Sequence, residues 1–300
     1  MSEPLKKKIQ LLEFKGILHA DIDDSIIEES LHVFSKQYEI AELLSNIVVE
    51  CIKTGKNEYN INISRYGLPF NNVTIHISKT NLMAMISANI SNVDDEGNIL
   101  INIYTTKDTF AYYTERRLYK EIRNSLAHEL EHAYTILSTY KNTGSGDKIS
   151  GDKLYADVCN IIHESITLND VYYISYAIYS TYGHEMNAFV SQCYGEIYDQ
   201  LITVKQLTNE TIKTSLKKST VYNIFLTNIS NLKEVLHYSN NDKTDFIRRF
   251  NSELQIDSNK IKDSIQLDKL LNNVLLRNEE AVKYCHGVAM KVYYDLTDKK

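Results

Sequence analysis

Apolar residues recur every three or four positions between residues 21 and 54, at Ile26, Ile27, Leu31, Phe34, Ile40, Leu43, Leu44, Ile47, Val48 and Cys51. This spacing predicts one or two long helices, closed by a basic end and Gly55. The period then changes. Residues 60–64, 73–78 and 99–104 are short β-branched segments separated by turn-forming residues at Gly67, Pro69, Asn71, Asn72 and 94–98. They predict strands of a small, mainly antiparallel sheet, because hairpin-like turns connect them. Helical period returns between residues 114 and 137, where Leu118, Ile122, Leu126, Leu130, Ala133 and Leu137 form one stripe. That helix should end near Asn142, since residues 143–147 are the most loop-like passage in the chain and Gly144 suits a C-terminal cap. Residues 152–167, 169–182 and 185–201 read as further helices, followed by shorter polar ones. The expectation is an α+β chain in two parts: helix, sheet and helix over residues 1–142, and a mostly helical half over residues 143–300.

Composition narrows the function. A chain of 300 residues with 43% hydrophobic content can bury a sizeable core. Its net charge of −6 comes from acids and bases mixed along the whole length, without the basic stripe that a phosphate backbone demands, so nucleic acid is not an expected partner. Glu13 and Lys15 interrupt the apolar stretch after Lys6, Lys7 and Lys8, so no secretory signal is expected, and no apolar run approaches bilayer length. Cys51, Cys159, Cys193 and Cys285 are widely spaced, which suits reduced thiols and a cytoplasmic setting.

The chemistry lies in the central helix. Its segment SLAHELEHAY places His128, Glu129 and His132 in the pattern H-E-x-x-H. Residues four apart on a helix are rotated by only about 40°, so the two imidazoles project together and can reach one zinc ion. Glu129, about 100° from His128, is poorly placed as a third ligand but well placed to move a proton to and from water beside the metal. A catalytic zinc needs a third protein ligand and one open position. His184, Glu185, Glu164, Asp147 and Asp157 are downstream groups open to that role.

The order helix, small sheet and H-E-x-x-H helix, over residues 21–142, resembles the N-terminal half of the zincin metallopeptidases. Thr135 and Ser138 stand where the metzincin branch has glycine and histidine. The segment TYGHEMNAFVSQCYGEI, with Glu185 and Ala188 in the pattern E-x-x-A, is similar to the helix from which gluzincins supply their third ligand. The resemblance implies a zincin-like fold and one zinc ion on His128, His132 and Glu185. It also implies Glu129 as general base, and a peptide or protein substrate lying along the last strand before the helix, residues 99–104. His184, Tyr182, Tyr172 and Tyr173 are candidate oxyanion donors, and Asn187 or Glu121 candidate partners for a zinc-binding histidine. The chain departs from larger gluzincins at Phe189, where those carry an aspartate. The loop at 144–151 either gates the cleft or only joins helices.

Two other classes stay open. One is a catalytically silent zincin-like binding or structural protein, assembling through the C-terminal helices. The other is a di-iron carboxylate protein, since Glu29 with His32, Glu129 with His132 and Glu234 with His237 all spell E-x-x-H. The strand-like region fits a helical bundle poorly. The remaining histidines, at 19, 76, 163 and 286, carry no assigned role.

Overall fold

The computed structural model describes residues 24–80, 86–143, 153–165 and 167–298. The first helix, α1 (Asp24–Thr54), buries two faces. Ile40, Ala41, Leu44, Val48 and Cys51 join a core with the sheet, whereas Phe34 and Tyr38 join a second core among the later helices. It stops where Gly55 turns left-handed at φ 72°, and the Lys56 amide donates back to the Cys51 carbonyl at 3.0 Å. This closure satisfies a carbonyl that the last turn leaves open. The expected beginning of the helix, at residues 21–23, lies outside the described residues.

Four strands follow: β1 (Glu58–Asn62), β2 (Asn72–Thr80), β3 (Ile86–Val93) and β4 (Asn98–Thr106). Their order across the sheet is β1-β2-β4-β3, with β1–β2 and β3–β4 antiparallel and the central β2–β4 pair parallel. Two expectations are corrected here. The sheet is mixed rather than mainly antiparallel: Val73, Ile75 and Ile77 of β2 and Ile99, Ile101 and Ile103 of β4 are all buried, so these two strands take the central places side by side. For the same reason β4 is interior and has no free edge to offer an extended peptide; the edge on that side belongs to β3, which the hydrophobic pattern did not reveal. A polar ladder pins the register, Asn62 Nδ2 donating to Asn72 Oδ1 at 3.1 Å and Asn72 Nδ2 to Asn98 Oδ1 at 2.8 Å. The turn into β4 needs its glycine: Gly97 has φ 83°, and a Cβ there would lie 2.3 Å from the Pro69 carbonyl oxygen.

A single helical turn, α2 (Thr109–Tyr112), leads into the long helix α3 (Glu115–Thr143). Every residue of the predicted stripe, from Leu118 to Leu137, is buried against α1 and the sheet. Each such Leu or Ile stabilises the fold by about 1.5–3 kcal/mol. Beyond residue 152 the chain is helical: α4 (Lys153–Glu164), α5 (Asp170–Tyr179), α6 (Gly183–Leu201), α7 (Asn209–Lys218), α8 (Thr220–Leu236), α9 (Asn240–Glu253) and α10 (Ser264–Asp298). Helix α6 runs through the middle, burying Ala188, Phe189, Val190, Cys193, Tyr194, Ile197 and Leu201. A third core joins α4, α5, α8, α9 and α10. Helices α3 and α6 are fastened by Arg123, which is fully buried, lies between the rings of Tyr38 and Tyr119, and forks onto Asp199 with an Nη1–Oδ1 distance of 2.7 Å. Among the described residues no helix is long and apolar enough to cross a membrane.

Candidate metal centre

His128 and His132 lie off the apolar stripe of α3 and face α6. Their Nε2 atoms are 3.1 Å apart, and their rings meet edge to face at 4.8 Å. Glu185 comes to them from the first turn of α6. That helix can begin there because α5 has just ended, Ser180 and Thr181 turning their hydroxyls back onto the Ala177 carbonyl and Tyr182 taking an extended conformation. A carboxylate in the first turn is also favoured by the helix dipole. Glu185 Oε2 lies 3.6 Å from each histidine Nε2. Among the described residues, this trio is the group of His, Cys, Asp or Glu side chains placed to hold an ion.

The donor set fits a divalent cation. Ligand atoms about 2.1 Å from a tetrahedral ion stand roughly 3.4 Å from one another; the triangle here has edges of 3.1, 3.6 and 3.6 Å. Glu185 Oε2 is buried with no hydrogen-bond partner, which is costly for a carboxylate unless a cation faces it. Burial alone would raise the Glu185 carboxyl, but the His128 and His132 rings and the Tyr155 hydroxyl outweigh it and hold the group well below the usual carboxylate range.

Glu129 points elsewhere. Its Oε2 accepts from the Ile90 amide of β3 at 3.0 Å, so the carboxylate sits between α3 and the edge strand. Burial pushes its carboxyl up, against the pull of His128 and His132. Next to His132, buried Glu131 accepts from Gln37 Nε2 at 2.6 Å, and Ser191 donates to Gln37 Oε1 at 3.1 Å, linking α3, α1 and α6 behind the site. Burial carries the Glu131 carboxyl up to about 7.

Other expected residues are distributed unevenly. His184 is at the site, with Nε2 3.5 Å from Glu185 Oε1 and its ring 5.8 Å from that of His132; burial lowers its pKa. Tyr182 caps α6, with its ring 6.4 Å from that of His184. Asn187 is exposed, two residues beyond Glu185 and so about 200° around the helix from it. Glu121 is exposed and 3.8 Å from Arg117 on its own helix. Tyr172 and Tyr173 pack against each other at the start of α5. Asp157 accepts from the Gln255 and Ile256 amides and from Asn259, so it ties down a distant turn. Glu164 is exposed at the end of α4, and Asp147 and the 144–151 loop lie outside the described residues.

Two aromatic roles were missed. Tyr155 of α4 donates from its hydroxyl to Glu185 Oε1 at 2.6 Å, and burial, with that carboxylate nearby, pushes the pKa of the Tyr179 hydroxyl up. Phe189 sets its ring edge to face with His128 at 5.0 Å. Of the other E-x-x-H pairs, Glu234 and His237 are exposed, with His237 Nδ1 against the Lys233 carbonyl, and the side chains of Glu29 and His32 lie outside the described residues. Comparison with known proteins finds no family model, no curated protein and no solved structure that matches the chain.

Proposed function

We propose that the chain is a zinc metallopeptidase of the compact gluzincin-like kind, acting on a peptide or protein substrate. The observation that supports this best is the meeting of two imidazoles from α3 and a carboxylate from α6, with Glu185 Oε2 buried and unbonded before them. Zinc held there supplies a Lewis acid that makes water more acidic and polarises a carbonyl. Glu129 takes the proton of the attacking water on Oε1, its Oε2 being engaged by the Ile90 amide. Its raised proton affinity lets it keep that proton and return it to the leaving amine. An extended substrate adds to the outer edge of β3, where main-chain hydrogen bonds align its carbonyl with Glu129. His184, next to the Glu185 carboxylate, and Tyr182, whose ring lies 6.4 Å from that of His184, are the donors for the developing oxyanion.

The test is chelator-sensitive cleavage of an unfolded protein by the purified chain. Glu129→Gln is expected to retain zinc and lose at least about 100-fold in rate. Cleavage that survives both chelation and this substitution removes the peptidase reading. Stoichiometric zinc with no cleavage of any unfolded protein leaves the silent binding protein in its place.

A further inference from the structure

We propose that the Tyr155 hydroxyl sets how Glu185 meets a metal ion, by occupying Oε1 so that Oε2 is the one carboxylate oxygen offered. The inference rests on the metal-site reading above. A carboxylate can grip a cation through one oxygen or both. Gripping through both would fill the open position that a catalytic site must keep for water or substrate.

The two oxygens of Glu185 are treated differently by the protein. Oε1 receives the Tyr155 hydroxyl at 2.6 Å, the length of a charge-assisted O–H···O bond, and has His184 Nε2 at 3.5 Å. Oε2 is buried, unbonded and equidistant from the two histidine nitrogens. Tyr155 itself cannot easily swing away. Its ring stacks on Tyr179 at 5.8 Å and 18°, and meets Tyr182 and His184 edge to face at 4.9 Å each. Val158 and Ile161 anchor its helix in the third core. Tyr155 is therefore a positioning residue that acts through Glu185.

Tyr155→Phe keeps the ring and its contacts and removes only the O–H. Four-coordinate cobalt(II) absorbs visible light strongly, and five- or six-coordinate cobalt(II) weakly, so the cobalt-loaded variant should lose visible intensity relative to the unaltered protein. Its affinity for zinc, measured by competition with a chromophoric chelator, should fall about 10- to 100-fold. An unchanged spectrum overturns the proposal, whether affinity falls or not, because simple loosening of the site would not change how many oxygens Glu185 offers. Loss of intensity in Tyr179→Phe alone overturns it in favour of Tyr179. If the unaltered protein binds neither cobalt nor zinc, the metal-site reading fails and takes this inference with it.

Discussion

Burial works against the Glu185 carboxyl in the metal-free protein, but His128, His132 and the Tyr155 hydroxyl hold it well below the usual range, so the ionised group adds stability at neutral pH. Glu185→Gln removes the charge and keeps an acceptor for Tyr155. The metal-free variant is expected to melt below the unaltered protein, because the two histidines lose their charge partner, while zinc affinity falls by at least about 100-fold. A metal-free melting temperature at or above that of the unaltered protein would mean that the buried, unbonded Oε2 costs more than those neighbours return. At this scale the sequence was informative where local spacing carries the chemistry. His128, Glu129 and His132 stand out because i and i+4 share a helix face, and Glu185 because its E-x-x-A segment resembles the ligand helix of gluzincins. Tyr155 could not be read in that way. It reaches Glu185 only through tertiary structure, and nothing local separates it from the other tyrosines in a chain that has 22.

Between elements, two forked ion pairs hold helices in place, and they should respond differently to substitution. Arg123 is fully buried where α3 meets α6, so Arg123→Met leaves Asp199 with Lys120 as its remaining cation, at 3.3 Å. The expected loss is about 3 kcal/mol in urea unfolding. Arg249 of α9 forks onto Asp170 in the first turn of α5, with Nη2–Oδ2 at 2.7 Å, but more than a third of its side chain is exposed. Arg249→Met should therefore cost only about 1 kcal/mol at pH 7. The Arg249 guanidinium holds the Asp170 carboxyl below its ordinary value. The pair's contribution is thus complete above the unfolded pKa, near 4, and disappears as pH falls through the lower folded value. An equally large difference between variant and unaltered protein at pH 2 would contradict this. The helices were legible because α3 keeps one stripe over its whole length. The strand β3 was not, because ISANISNV mixes Ile and Ala with Ser and Asn at an edge where only Val93 is fully buried. Nor could alternation show which strands are neighbours: β2 and β4 each bury every second residue, and a pattern within one strand says nothing about its partner.

On the scale of the molecule, the two histidines belong to a helix of the sheet core, whereas Glu185 belongs to the helix at the centre of the second core. A cation bound between them cross-links the two. With free zinc at about 100 times its Kd, bound metal should add about 2.7 kcal/mol of stability, a melting shift on the order of 5 °C that chelator reverses. Glu185→Gln should show almost none of that shift at the same zinc concentration; a full shift would mean that zinc binds elsewhere. The division into a sheet-bearing first part and a helical second part was foreseeable from the change of period along the chain. That α1 would serve both cores was not, since its two buried faces are continuous in sequence. Placing Glu185 so late also governs when the trio can first assemble. As the chain leaves the ribosome, the two imidazoles emerge well before the helix bearing Glu185, and Tyr155 emerges between them. A half-made chain that ends short of Glu185 lacks one member of the trio, so a cation gripped by all three side chains can be held only once that helix has emerged.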